Sequence, residues 1–202
     1  MSYRLSSCTS AVILTILFEI IAGCQKPVEL PIEGVVPNFR LTERSGKPFT
    51  RAELDGKIWI ADFIFTHCAG TCPILTTALS EIQTKLAEQK MDDVKLVSIS
   101  VDPERDTPEV LSAFANGYGA DSTRWYFLTG DGEAIQKLSK EGFHLAAATG
   151  GGSVDEPIIH SNRFVLVDRQ ANIRGYYDGT DEDAVKKILT DLKNLYQSQN
   201  PS

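Results

Sequence analysis

Cys68 and Cys72, with Ala69, Gly70 and Thr71 between them, are the residues of this chain best suited to chemistry. Two sulfurs on one short loop have two uses. As thiolates they grip a soft metal ion, or they exchange electrons with another disulfide. Pro73 follows directly, and proline is at home in the first turn of a helix, where its missing N–H costs nothing. That places Cys72 at about the N-cap and Cys68 in the loop before it. Both sulfurs then lie near the positive end of a helix dipole, which favours thiolate over thiol.

The chain has four cysteines, and the other two fall in the leader or at its end. Arg4 gives a short basic start, and residues 11–22 are mostly apolar, interrupted by Thr15 and Glu19. A spanning helix needs roughly 20 apolar residues, so this shorter, charged run reads as an export signal. It contains Cys8 and ends in Ile21-Ala22-Gly23-Cys24, which resembles the lipobox of bacterial lipoprotein signals. That resemblance implies that residues 1–23 are removed and that Cys24 becomes the lipidated first residue. The other reading is an uncleaved N-terminal anchor, with Cys24 incidental. In both, the domain sits outside the cytoplasm and is tethered to a membrane. Only Cys68 and Cys72 then remain in the folded domain. A disulfide closing so small a loop removes little chain entropy, so the pair serves chemistry rather than stability.

The elements that must position the pair are legible on either side of it. Residues 24–36, with Pro27, Pro31 and Gly34, read as a tether. Residues 37–42 and 48–50, around a Ser45-Gly46 turn, predict an N-terminal hairpin. The run from Ile58 to Phe65, rich in β-branched and aromatic residues, predicts a strand buried on both faces. After it, Leu75, Leu79, Ile82 and Leu86 form one stripe of a helix from Pro73 to about Lys90. Residues 94–101 predict a second core strand, and Thr107-Pro108 an N-cap and first-turn proline. A short strand at 125–128, a helix at 131–141 and a glycine-rich loop at 149–157 follow. Then come a hairpin from Phe164 to Tyr177 and a last helix capped by Thr180, with Asp183 three residues on. Alternating strands and helices predict one α/β layered domain over residues 37–197, with 198–202 a tail. The dithiol falls at the carboxyl end of a central strand, where open α/β sheets place their sites. A net charge of −7 without a long basic run argues against nucleic acid as a partner.

Several of these residues together are similar to a known family. The strand ending Phe65-Thr66-His67-Cys68, the Cys-x-x-x-Cys-Pro motif, the segment from Ser100 to Pro108 and a distant His160-Ser161 before an apolar strand resemble the Sco/SenC family. The likeness covers about Val36 to Tyr196. It implies a thioredoxin-like fold, close to the peroxiredoxin variant, whose central sheet is flanked by helices. It also implies copper, as Cu(I) or Cu(II), held by Cys68, Cys72 and His160. Members help assemble the copper A centre of cytochrome c oxidase, so the implied partner is its subunit II or another copper-site protein. This chain departs from the family at Ala69-Gly70-Thr71, where Pro-Asp is common within the loop. The three ligand positions are kept, while loop stiffness, affinity or partner choice is open to change.

The residues agree with that reading on their own terms. Three intervening residues open a wider bite than the two of a thioredoxin-type redox pair, which suits two sulfurs on one ion. A disulfide stays geometrically reachable. Thiolates select Cu(I) or Zn, and an imidazole completes a copper site. His160 stands just before a strand, where such folds place a loop facing the cysteines. His67 is read as shaping the loop and His144 as structural. Asp102, Glu104, Arg105 and Asp106 form a charged loop that either tunes the dithiol or docks a partner, or is a turn with a local ion pair and a helix cap.

Two functions stay open at this stage: a metallochaperone, and a thiol–disulfide oxidoreductase in which the lower-pKa thiolate attacks and the other cysteine resolves, Cys68 being the attacker if exposure in the loop decides. His160 separates them, because copper binding needs it and disulfide exchange largely does not. A peroxidase lacks its activating setting, since Asp62 rather than proline lies four residues before Thr66. A closed structural zinc site wants four protein ligands, more than this chain offers.

Overall fold

The computed structural model describes residues 29–145 and 161–199. Its strands are β1 (Gly34–Val35), β2 (Arg40–Glu43), β3 (Pro48–Thr50), β4 (Trp59–Ile64), β5 (Lys95–Ser100), β6 (Trp125–Thr129), β7 (Arg163–Val167) and β8 (Asn172–Asp178). The helices are α1 (Cys72–Glu88), α2 (Pro108–Gly117), α3 (Gly132–Lys137) and α4 (Ala184–Gln199). All eight strands form one mixed sheet in the order β1-β8-β7-β4-β5-β6-β2-β3. β4, β5 and β6 run parallel, joined through α1 and α2. β7 pairs antiparallel with β4 on the other side. This is the predicted α/β architecture, a thioredoxin-like sheet between helices with the β2–β3 hairpin added at one edge.

Strand alternation sorts the core into two layers. Ile58, Ile60 and Ile64 pack with Leu75, Leu79, Ile82 and Leu86 of α1, Leu111 of α2, and Ile188 and Leu192 of α4. Trp59, Ala61 and Phe63 point the opposite way, toward Ile135 and Phe143 around α3. Every residue of β4 is buried, which is why its sequence is apolar at both parities. Asp62 shares the parity of Ile60 and Ile64, so a carboxylate stands on the α1-facing side. Ser98 and Ser100 of β5 are its register neighbours, opposite Asp62 and Ile64.

Two boundaries differ from the sequence reading. Gly34–Val35, inside the stretch read as tether, pairs with the edge of β8. The Val36 N–H reaches Ala171 O at 2.9 Å, and the Val36 side chain is buried. The last helix begins at Ala184 rather than after Thr180. The Thr180 hydroxyl instead donates to Asp178 Oδ1 at 2.6 Å, which satisfies it in the turn before the helix. The predicted cap on α2 is present, with Val110 N–H donating to Thr107 Oγ1. The glycine-rich loop at 149–157 lies outside the described residues.

The β8–α4 turn passes close over the start of α1. A Cβ built on Gly179 would lie 2.2 Å from Leu75 Cδ2 and 2.9 Å from the Phe164 ring. Both neighbours are core side chains with no room to retreat. Gly179→Ala is therefore expected to lower stability by about 1–3 kcal/mol, as overpacking does. The check is the urea midpoint at unchanged m-value.

Candidate dithiol site

β4 delivers the chain to the loop and α1 takes it away, so the sheet and the helix together set where the two sulfurs stand. Both cysteines are free; Cys68 is half-buried and Cys72 is buried. Cys72 is the first residue of α1, with Thr71 at the N-cap, so the helix begins one position earlier than the sequence suggests. Thr71 is in helical conformation and its side chain makes no capping bond. The loop is otherwise lightly held, with Ala69 and Gly70 exposed.

Burial overrides the helix dipole at Cys72. Desolvation, with the neighbouring Cys68 and Asp62 adding repulsion, pushes the thiol up to about 12, although a backbone contact from Phe65 pulls the other way. A helix terminus favours the anion by about 0.3–1 kcal/mol. The opposing shift, from 9.0 to about 12, corresponds to roughly 4 kcal/mol. Cys72 is thus a thiol at neutral pH, contrary to the expectation of two dipole-stabilised thiolates.

The loop is anchored just upstream of Cys68 by a residue far along the chain. Asp106 is fully buried. Its Oδ1 accepts from the Thr66 hydroxyl at 2.6 Å, and its Oδ2 from the Thr66 N–H at 3.1 Å and the Ser100 hydroxyl at 2.6 Å. Ser100 in turn accepts from the Asp102 N–H at 3.1 Å. Arg105 pairs with Asp102 at 2.8 Å. The charged loop therefore divides: Asp102, Arg105 and Thr107 make the local ion pair and cap, and Asp106 reaches into the site. His67 is exposed, its Nδ1 3.0 Å from Thr66 Oγ1. His144 sits away from the pair, against Gly34.

Asp62 is the residue the sequence hid. Among the described residues neither oxygen has a hydrogen-bond partner, and burial pushes its carboxyl up to about 7. The Ser98 hydroxyl offsets part of this from outside hydrogen-bonding geometry. The signal available was a single acid at a core parity in an apolar run.

Among the described residues no group of three metal-binding side chains gathers. The structure brings together Cys68 and Cys72; His160 and Cys24 lie outside the described residues. The donor set present, two sulfurs on one loop, fits a soft ion and leaves room for a further ligand.

The family model described as SCO1/SenC matches residues 30–197. The chain belongs to the SCO1/SenC family. Among solved structures it is similar to a SCO1/SenC family lipoprotein from Bacillus anthracis, at 35% identity and TM-score 0.73, covering 85% of this chain and 98% of that one. It is also similar to BsSco, a member of the Sco family of cytochrome c oxidase assembly proteins in which a disulfide switch was identified. That match has 31% identity and TM-score 0.71, covering 82% and 96%. Bradyrhizobium japonicum ScoI, solved with copper bound, matches at 27% identity and TM-score 0.65, covering 80% and 99%.

Asp62 makes this SCO1/SenC domain sensitive to pH. Its carboxyl is raised from 3.8 to about 7, so between those values the folded state binds more protons than the unfolded chain. Stability should therefore fall as pH rises from about 4 to 7 and level off above, by up to roughly 4 kcal/mol. Asp62→Asn should remove this slope and be the more stable protein at pH 8. Urea unfolding of both proteins across that range checks it, and parallel curves would show that Asp62 is not the group responsible.

Proposed function

We propose that this SCO1/SenC protein is a membrane-tethered copper-binding protein. It holds copper through Cys68, Cys72 and His160 and delivers it to the copper A centre of cytochrome c oxidase subunit II, or to a related copper site. The observation that carries this reading is the pair of free sulfurs brought onto one loop at the end of β4. Two soft donors are present there, and no third donor stands beside them among the described residues. His160 as the third ligand rests on the resemblance to the SCO1/SenC family. Relatives solved with copper, and described in cytochrome c oxidase assembly, support the same reading. In this reading the lipobox-like ending at Cys24 supplies the tether, and a relative described as a lipoprotein supports it.

A second reading, as a thiol–disulfide reductant of a partner's copper-ligand cysteines, is favoured by the unequal pair. Cys68 is the accessible sulfur and Cys72 the buried, protonated one. Cys68 thiolate attacks the partner disulfide, forms the mixed disulfide and releases one partner thiolate. Cys72 then gives up its proton and attacks Cys68, releasing the second partner thiolate. The partner gains two electrons and this protein is left with the Cys68–Cys72 disulfide.

Competition of the reduced protein against a Cu(I) chelator decides between them. Tight one-to-one binding is expected, lost in Cys68→Ser and Cys72→Ser. His160→Ala should weaken it at least about tenfold, the equivalent of 1.4 kcal/mol. Equally weak binding in wild type and His160→Ala would remove the three-ligand site and leave the reductase reading.

A further inference from the structure

Among the described residues three large hydrophobic side chains stand in water: Ile32 at 61%, Val35 at 57% and Ile74 at 53% exposure. Ile74 lies in the first turn of α1, beside the dithiol. Ile32 and Val35 sit together at β1, the edge strand through which the chain joins the sheet. Single exposed apolar residues are ordinary on a protein surface, but neighbouring ones that continue into a groove are not. Val35 forms one wall of a groove of about 570 Å³, and Pro37, Phe39 and Leu138 continue its apolar lining. Arg40, Lys137 and Glu141 stand at the same groove. Lys137 and Glu141 answer each other at 4.0 Å, which leaves Arg40 as the groove's net charge on a chain of charge −7 overall. Glu33 is exposed next to Ile32, so apolar area rather than charge dominates the patch. The strand register fixes where it lies. Val35 pairs with Asn172 and Gly34 with Ile173; Ile173 is opposite Val167, and Val167 opposite Trp59. Trp59 opens β4, and the dithiol loop follows the other end of that strand. The patch is therefore level with the start of β4, about 17 Å along the strand direction from Ile64 at roughly 3.3 Å per residue.

We propose that the β1 edge and its groove lie against the bilayer that holds the lipid anchor, with the dithiol end turned away from it. This rests on the tethered reading given above and adds which face meets the membrane. Under that reading Cys24 carries the acyl chains, and six residues further on Leu30 O is already bound by Arg174. So short a connection, about 20 Å when fully extended, keeps the β1 edge within reach of the headgroups. Some face of the domain then meets the lipid. Contact at β1 removes two exposed apolar side chains from water and sets Arg40 among the headgroups, the combination that holds a surface in the interface. Turning the Ile74 end down would cover one such side chain and leave the other two in water.

Bromine on lipid acyl chains quenches tryptophan only at close range, and the native Trp59 and Trp125 are buried and give a shielded background. Full-length protein carrying Val35→Trp is placed in vesicles of acyl-brominated phosphatidylcholine with phosphatidylglycerol, and its emission is compared with that in unbrominated vesicles. Side chains of an interfacial face sink about 5–10 Å into the headgroup–acyl boundary, so quenching is expected to exceed that of Ile74→Trp at least about threefold. Adding Ile32→Asp to Val35→Trp should bring the quenching down to the Ile74→Trp level while the protein still floats with the vesicles. Ile32→Trp is the second reporter if Val35→Trp misfolds. Equal quenching at the two ends, or more at Ile74→Trp, in a protein that floats would overturn the proposal and leave the tether standing. A dimer in detergent that Ile32→Asp dissociates would give the face to a second copy of the chain and overturn it as well. Protein whose mass shows no lipid at Cys24 and that stays off the vesicles would overturn the tether and this proposal together.

Discussion

A single carboxylate, Asp106, fastens the functional end of this molecule. It is buried from water and satisfied by Thr66 and Ser100, so it joins the exit of β4 to the exit of β5. A buried charge deprived of one partner is strongly destabilising, by about 3–5 kcal/mol. Those three hydrogen bonds therefore stand or fall with the packing of the two parallel strands. Between Cys68 and Cys72 the loop has little of its own to define it, with Ala69 and Gly70 exposed and Thr71 making no cap.

Beneath the pair the chemistry is governed by the exclusion of charge. Asp62 and Cys72 occupy the same layer between β4 and α1, and burial disfavours the ionised form of each. Each also makes ionisation of the other harder, since the Asp62 charge raises the Cys72 thiol. The outer sulfur, Cys68, stands where water can reach it. The two cysteines, identical in sequence, are thus made chemically unlike by depth alone.

Much of this could be read from the sequence, and the parts that could not share a cause. The stripe of Leu75, Leu79, Ile82 and Leu86 is local periodicity, and the structure buries it as predicted. The Thr107 cap is a local bond and also survives. Thr180 satisfies the same local pattern, but Asp178 lies closer to its hydroxyl than the helix start does. The stretch before Val36 looks like a linker because of its glycine and prolines, and only the open edge of β8 turns it into a strand. Asp106 depends on closure between residues forty positions apart, which no local pattern reports. Asp62 was visible as a letter, and its lack of a partner emerges only once Ser98 and α1 are placed around it.

The edge strand β1 has a mechanical consequence. Arg174 Nη2 donates to Leu30 O, and Glu33 N–H to Ile173 O, so the chain is moored to the sheet from Leu30 onward. On the proposed lipidation at Cys24, only six residue steps separate the bilayer from the first mooring point. At up to about 3.6 Å each, that leash reaches about 20 Å, less than the breadth of the domain itself. A mooring this short leaves the domain to pivot at the membrane surface rather than roam above it. On that same proposal, the height at which the dithiol would meet an acceptor is set by the pairing of β1 with β8.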